Sequence, residues 1–186
     1  MQKPLLNNAY IDGANLHNGI SAQGWKLDYR SFRAWLKEKY GVRDAYLFIG
    51  LMPDKAVLYT NLQRAGFILI FKDVVYNSVG KAKGNCDADL VLQCVVDFFN
   101  KKYEQAIIVS SDGDYACLVK FLQEQDAMRI IVSPSIQQHC SILLKKTGAP
   151  IAHLSEPRLR PFLEYGNKSK NKEAPDADGT VIGSSS

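Results

Sequence analysis

The 186-residue sequence has no long apolar run. Its longest apolar stretches, Ala45 to Ile49 and Phe67 to Phe71, have the length of strands. A membrane-spanning helix needs roughly 20 consecutive apolar residues, so we expect no membrane contact. The segment 1–8 also lacks the apolar core of a secretory signal. A cytoplasmic location is therefore expected.

Cysteine and histidine are scarce, with four and three residues in the whole chain. The cysteines stand singly, and none forms a close Cys/His pair with the spacing of a zinc site. Cys94 and Cys117 lie among apolar residues of predicted helices, where a free cysteine is usually a small buried hydrophobic residue. These observations predict reduced, structural thiols.

Charge is plentiful, and its distribution is informative. Residues 1–165 contain 20 Lys and Arg against 16 Asp and Glu. If four of the acidic residues were gathered into one site, 20 basic and 12 acidic side chains would remain, a balance of +8. An acidic pocket on a basic body suits a polyanionic substrate. A solvated surface of mixed charge explains the same composition equally well.

Apolar, β-rich runs alternate with segments of helical periodicity along the chain. The predicted strands are Ala9–Ile11, Ala45–Ile49, Phe67–Val75, Ala106–Val109, Arg129–Val132 and Ile151–Leu154. One predicted helix is capped by Asp28, one opens at Pro53-Asp54, one begins at Asp87 and one follows Asp112. A last predicted helix covers Gln137–Lys146. This alternation predicts an α/β fold with right-handed crossovers, a mostly parallel sheet of about five to six strands, and helices on both faces.

Three segments need separate expectations. The segment between Asp12 and Asp28 contains Gly19, Gly24 and Trp25, and we expect a loop there. The helix after Asp87 has apolar residues around most of its circumference, so we expect it to be buried between layers. Residues 1–165 form the predicted domain, and residues 166–186 form a polar tail with too few apolar residues to become ordered.

Three short acidic motifs follow apolar segments or open helices. They are Asp12-Gly13-Ala14-Asn15, Asp87-Ala88-Asp89 and Ser110-Ser111-Asp112-Gly113-Asp114. Strands of an open α/β sheet direct their carboxyl ends toward one crevice, so these distant carboxylates should meet in space. Crowded carboxylates repel one another unless they share protons or bind a cation. The pattern therefore predicts a divalent metal site.

Helix capping is the alternative explanation for each motif by itself. Asp and Asn are favoured at turns and helix N-caps, where their side chains accept hydrogen bonds from free backbone N–H groups. Capping does not explain the second acidic residue two positions after Asp87 and after Asp112. It also does not explain why Asn15 accompanies Asp12 directly after a strand. The three motifs together favour the metal site.

The donor atoms indicate which cation the site would bind. Carboxylate and amide oxygens without a nearby Cys/His set favour a hard cation such as Mg²⁺ or Mn²⁺. Such cations commonly bridge to phosphate oxygens, lower the pKa of bound water and stabilise charge during displacement at phosphorus. The chemistry that this predicts is phosphodiester hydrolysis.

The order and spacing of the motifs resemble a known family. Asp12-Gly13-x-Asn15, Lys83-Gly84-Asn85-x-Asp87-x-Asp89 and Ser110-Ser111-Asp112-Gly113-Asp114-Tyr115 are similar to the motifs of the NYN domain, of the LabA-like type in the PIN-like nuclease superfamily. The likeness covers roughly residues 7–155. It implies a Rossmann-like, PIN-type three-layer sandwich with sheet order 3-2-1-4-5.

The resemblance also implies a function and a set of site residues. It implies a metal-dependent endoribonuclease that uses Mg²⁺ or Mn²⁺, with RNA as its partner. Separately from the resemblance, a homodimer is one assembly that the protein could form. Catalytic and metal-ligating roles fall on Asp12, Asp87, Asp112 and Asp114, and supporting roles on Asn15, Asp89 and Ser110. Lys81 and Lys83, just before Asp87, are well placed to bind RNA phosphate, although a solvated loop explains them equally well.

Two positions depart from the family's usual pattern. Asp89 stands where Glu is frequent, and Ser111 stands where Gly is common. Neither change removes a required carboxylate. Because some members of the superfamily have lost activity, a catalytically silent RNA-binding or regulatory module on the same fold is the alternative function.

Overall fold

The computed structural model describes residues 6–73, 75–76, 82–83 and 86–166. In chain order the elements are β1 (Asn7–Asp12), α1 (Gly13–Ser21), α2 (Tyr29–Tyr40), β2 (Val42–Leu51), α3 (Ala56–Arg64), β3 (Ile68–Asp73), β4 (Val75–Tyr76), β5 (Ala82–Lys83), α4 (Asp87–Phe99), β6 (Ala106–Val109), α5 (Ala116–Glu124), β7 (Met128–Ser133), α6 (Ile142–Lys145), β8 (Ile151–His153) and α7 (Arg160–Leu163). Three short 3₁₀ helices cover Pro53–Lys55, Gly113–Tyr115 and Gln137–His139.

Within these ranges, six strands form one parallel sheet in the order β3-β2-β1-β6-β7-β8. The short strands β4 and β5 pair with each other and stand apart from it. When that pair is set aside, the order is the predicted 3-2-1-4-5 with a sixth strand added at the β7 edge. The predicted fold class is confirmed. The order places β1 and β6 side by side at the centre of the sheet.

The strands alternate their side chains between two apolar layers. Ala9 and Ile11 of β1 belong to the core under α1, α2 and α3, whereas Tyr10 belongs to the core under α4 and α5. Neighbouring strands repeat this alternation, because successive strand residues point to opposite faces. The result is the predicted three-layer sandwich. Asp12, two residues after Tyr10, lies on the α4 side of the sheet.

The prediction of a loop between Asp12 and Asp28 was wrong for its first part, since residues 13–21 form α1. Its sequence contains two glycines and two asparagines, which are poor helix formers, and this composition hides the helix from a propensity argument. Burial of Leu16 and Ile20, one turn apart on the same face, supplies the missing stabilisation. The Asp12 side chain caps the new helix.

The single helix predicted over Gln137–Lys146 was also wrong. A 3₁₀ turn covers Gln137–His139, an extended Cys140 follows, and α6 begins only at Ile142. The backbone N–H of Ser141 donates to the carbonyl of Ser111, and its hydroxyl caps α6. Because this segment is tied to the loop after β6, it cannot continue as a regular helix.

The composition of α4 predicted a helix buried between layers, and this prediction was wrong. Leu90, Cys94 and Asp97 face the sheet, whereas Leu92 is 63% and Phe99 69% exposed. The helix lies in an outer layer with an apolar outer face. Cys117 on α5 likewise proves to be exposed, whereas Cys94 is buried as expected.

Two further expectations concern the surroundings of the domain. Among the described residues, none of the helices combines the length and the apolar character that a membrane crossing requires. The predicted tail, residues 166–186, lies outside the described residues except for Gly166. The division into a domain and a disordered tail therefore stays a prediction.

Candidate metal centre

The carboxyl ends of the two central strands bring the first and third acidic motifs together. Ile11 of β1 is paired with Val109 of β6, so the residues that follow each strand emerge side by side. Asp12 is the last residue of β1, and Asp112 lies three residues beyond Val109. Helix α4 begins at Asp87 and adds the second motif from the outer layer.

Three carboxylates form the centre of this edge. Asp87, Asp112 and Asp114 each offer one oxygen, and these oxygens lie within 4.8 Å of one another. Asp87 and Asp112 are half-buried, and Asp114 is exposed. One oxygen of Asp112 accepts a 3.1 Å hydrogen bond from the backbone N–H of Asp114, so Asp112 also caps its own 3₁₀ turn. Asp112 therefore both caps the 3₁₀ turn and belongs to the carboxylate cluster, so the two explanations of its motif hold together.

Asp12 lies deeper than these three and is only 8% exposed. Its Oδ1 accepts a 2.9 Å hydrogen bond from the backbone N–H of Asn15, and its Oδ2 accepts a 3.2 Å bond from the hydroxyl of Tyr115. Burial raises the pKa of Asp12, the Asn15 bond opposes that change, and the charge of Asp87 raises the pKa further. Both oxygens of Asp12 are thus bound within the protein.

Tyr115 connects Asp12 to the other carboxylates. Its hydroxyl oxygen also lies 2.5 Å from Oδ1 of Asp87, so the single hydrogen of the phenol is shared between, or alternates between, the two carboxylates. Burial raises the pKa of Tyr115, and the negative charge of Asp12 adds to this effect, so the phenol keeps its proton. The sequence alone assigned Tyr115 no role in the site, because an aromatic residue at the start of a helix is usually a core residue.

Two of the residues predicted to support the site hold its loops. The hydroxyl of Ser110 accepts a 3.1 Å hydrogen bond from the backbone N–H of Asp112. The side-chain oxygen of Asn15 accepts a 2.9 Å bond from the backbone N–H of Ser111. Asn15 therefore joins the loop after β1 to the loop after β6.

The third residue with a predicted supporting role, Asp89, has a different partner. It forms a 2.8 Å ion pair with Lys72 at the end of β3, and it lies outside the group of three clustered carboxylates. Lys72 was missed by the sequence reasoning, since a lone lysine at a strand end carries no pattern. Lys81 lies outside the described residues, and Lys83 is described only as part of β5.

Two glycines allow the motifs to pack closely. A Cβ atom at Gly13 would lie 2.6 Å from the backbone carbonyl oxygen of Phe48. A Cβ atom at Gly113 would collide with the hydroxyl of Ser141 and crowd the side chain of Leu143. The Asp12 and Asp112 motifs thus favour glycine directly after the aspartate, and the steric reason is independent of any ligand.

The donor set fits a small divalent cation. Mg²⁺ takes oxygen ligands at about 2.0–2.1 Å, so oxygens on opposite sides of one ion stand roughly 4 Å apart. The three clustered oxygens, all within 4.8 Å of one another, could therefore surround one ion after small side-chain rotations. Partial burial of Asp87 and Asp112 strengthens both their mutual repulsion and their attraction for a cation. The described residues offer no Cys or His to this cluster.

A parallel α/β/α sandwich with clustered carboxylates at its carboxyl edge is the architecture of the PIN-like class. The model of the NYN domain family matches residues 8–147, and the chain belongs to that family. NYN domains belong to the PIN-like nuclease superfamily and are generally nucleases that use divalent metal ions.

Comparison with solved structures supports the same fold. A crystal structure of a protein of unknown function from Vibrio parahaemolyticus matches with a TM-score of 0.71 and 19% sequence identity. The match covers 88% of this chain and 99% of that one. At this identity the likeness concerns the fold alone. A search of curated proteins found no match.

Proposed function

We propose that this protein is a metal-dependent endoribonuclease that hydrolyses RNA phosphodiester bonds. The observation that carries the proposal is the convergence of Asp87, Asp112 and Asp114 at the edge of the sheet where β1 and β6 end. A module that only bound RNA would gain nothing from carboxylates that repel phosphate. Membership in the NYN family supports nuclease chemistry.

The proposed reaction needs a cation and a positioned phosphate. When bound, Mg²⁺ or Mn²⁺ lowers the pKa of water and offsets the charge that develops on phosphate oxygens. Water then replaces one ester oxygen at phosphorus, leaving one product end with a phosphate and the other with a hydroxyl. The clustered carboxylates would hold the cation, and the hydroxyl of Tyr115 contacts both Asp87 and the buried Asp12 beside them.

Positive charge beside the site would attract the RNA backbone. Lys72 is partly exposed and lies near the end of β3. It pairs with Asp89 in the first turn of α4, the turn that also contains Asp87. A phosphate bound near Asp87 would lie within reach of this ammonium group. We add Lys72 to Lys81 and Lys83 as a proposed RNA contact, because salt-sensitive backbone attraction is common to RNA-binding proteins.

Further details of the proposal come from the sequence. The residues and spacing of the three motifs favour the LabA-like type within the NYN family. The absence of membrane signals favours a cytoplasmic protein. A homodimer stays a prediction. A catalytically silent RNA-binding or regulatory module is the second candidate, since superfamily members can lose activity while they keep the fold.

Cleavage assays test the proposal directly. Purified full-length protein is incubated with a linear RNA pool and with a circular RNA, first in chelator and then with Mn²⁺ or Mg²⁺. We expect cation-dependent cleavage of both, because only an endonuclease opens a circle. Asp112→Asn should abolish cleavage and leave RNA binding intact, since the amide oxygen can still cap the 3₁₀ turn.

Asp126→Asn is the matched control for that variant. Asp126 is exposed, precedes the amino end of β7 at the opposite edge of the sheet, and has a positive φ that Asn also tolerates. Its activity should equal that of the wild type. Wild-type protein that binds RNA but shows no cleavage above the Asp112→Asn background would establish the silent module instead.

A further inference from the structure

Tyr115 occupies the point where all three acidic motifs meet. Its backbone directly follows Asp114 and forms the end of the 3₁₀ turn that begins after Asp112. Its ring is fully buried in the core between the sheet and helices α4 and α5. From there its hydroxyl reaches Asp12 of β1 and Asp87 of α4. One side chain thus connects segments that are separated by up to 103 positions in the sequence.

The hydroxyl restricts how Asp87 can turn. Asp87 is the first residue of α4, and the preceding residue, Cys86, makes no side-chain cap with the helix. A half-buried aspartate in such a position can adopt several rotamers. A hydrogen bond at Oδ1, from a phenol held in a packed core, favours the rotamers that keep this oxygen beside the hydroxyl. The range of positions open to the second oxygen of Asp87 is narrowed with it.

The same contact sets the spacing between two negative charges. A phenol has one hydrogen to donate, and both Asp12 and Asp87 lie within hydrogen-bond distance of its oxygen. The two carboxylates are therefore drawn to one hydroxyl, in an arrangement that keeps them close despite their repulsion. Closeness of this kind favours the binding of a cation next to them.

We propose that Tyr115 is the positioning residue of the metal site, which orients Asp87 and ties it to Asp12 through its hydroxyl. The proposal rests on the proposed metal-dependent function. It assigns Tyr115 no contact with substrate and no part in proton transfer. The competing view is that Tyr115 only fills the core, and a phenylalanine of nearly the same volume would then serve equally well.

The variant Tyr115→Phe separates these views, because it keeps the ring and removes only the hydroxyl. Tyr10→Phe is the matched control. Tyr10 is also fully buried on the α4 side of the sheet, and its hydroxyl donates a 3.0 Å hydrogen bond to a buried carboxylate, Asp97. Asp97 lies away from the cluster and keeps Gln93 and Lys102 as partners in the variant.

The readout is Mn²⁺ affinity of the full chain, measured by calorimetric titration without RNA, followed by steady-state cleavage of RNA. We expect Tyr115→Phe to weaken Mn²⁺ binding about 10- to 100-fold, as the loss of groups that orient metal ligands commonly does. At a fixed, subsaturating Mn²⁺ concentration kcat should fall by a similar factor while KM for RNA stays within twofold. Tyr10→Phe should match the wild type in both.

The outcomes are distinct from those that test the overall function. Wild-type-like Mn²⁺ affinity in Tyr115→Phe would overturn the positioning role and leave the nuclease proposal intact. Tighter binding would also overturn it, because the hydroxyl would then compete with the cation for the same oxygens. If Tyr115→Phe binds Mn²⁺ more weakly than the wild type, but the wild type does not cleave RNA, the positioning role would be supported and the nuclease proposal would fail. A wild type that binds no Mn²⁺ would defeat both.

Discussion

The side-chain oxygen of Asn15 accepts a 2.9 Å hydrogen bond from the backbone N–H of Ser111. Asn15 belongs to the first turn of α1, and Ser111 immediately precedes Asp112 in the loop after β6. The backbone N–H of the same asparagine donates to Asp12. The two central strand ends are therefore held together by one residue in addition to the sheet itself.

Asn15→Ala should lower the free energy of unfolding by about 1–2 kcal/mol, because the half-buried N–H of Ser111 loses its acceptor. It should also weaken Mn²⁺ binding by loosening the Asp112 loop against Asp12. Urea denaturation and calorimetric titration measure the two effects. Asn18→Ala, at an exposed position of the same helix, is the control and should change stability by less than about 0.5 kcal/mol.

The stability of the metal-free protein should depend on pH through Asp12. Its pKa is raised in the folded state, mainly by burial, above the ordinary value of 3.8. At a pH between the ordinary pKa of the unfolded chain and the raised pKa of the folded protein, Asp12 is protonated more fully in the folded protein than in the unfolded chain. The stability that this proton contributes is therefore lost as pH rises through the folded pKa. Asp12→Asn removes this loss and still offers an oxygen to cap α1.

Melting temperatures in chelator, from pH 4 to pH 7.5, test this expectation. The difference between Asp12→Asn and the wild type should grow in favour of the variant as pH rises. Added Mn²⁺ should stabilise the variant less than the wild type. A strongly lowered melting temperature of Asp12→Asn at every pH would instead identify the carboxylate as a structural turn or cap.

Gly13→Ala should destabilise the fold by about 1–3 kcal/mol, because the new methyl group meets the backbone carbonyl of Phe48, which cannot rotate away. Gly113→Ala meets the side chains of Ser141 and Leu143 and should cost less, since side chains can adjust. Urea denaturation of both variants compares them directly. Equal or reversed losses would contradict the steric argument at the Asp12 motif.

Lys72→Ala should weaken RNA binding and reduce the slope of log affinity against log salt by about one. Asp89→Asn should act in the opposite direction, because it releases the ammonium group of Lys72 from its 2.8 Å ion pair. Filter binding of a fixed RNA over a series of salt concentrations measures both. Lys37→Ala is the control, since α2 ends at the amino edge of the sheet, opposite the site. An unchanged slope in Lys72→Ala would exclude Lys72 as a phosphate contact.

Much of the fold followed from local patterns. The apolar runs around Tyr10, Ile108 and Ile131 identified the central strands, because each run must be buried on both faces of a parallel sheet. Where the prediction was wrong, a local rule was outweighed by distant contacts. Helix α1 forms against its own composition because Leu16 and Ile20 are buried, and α4 leaves Leu92 exposed because only one face meets the sheet.

The sequence by itself determined the types of residue at the site and their positions at strand and helix ends, because a continuous apolar run and its interruption are local properties of the chain. Only the tertiary structure decided that Tyr115 contacts Asp12 and Asp87, and that Asp89 faces Lys72. These contacts join residues 17 to 103 positions apart, and no local pattern encodes which side chain will lie opposite another after packing. Strand order and helix docking bring these partners together, and both are set by burial of the whole core.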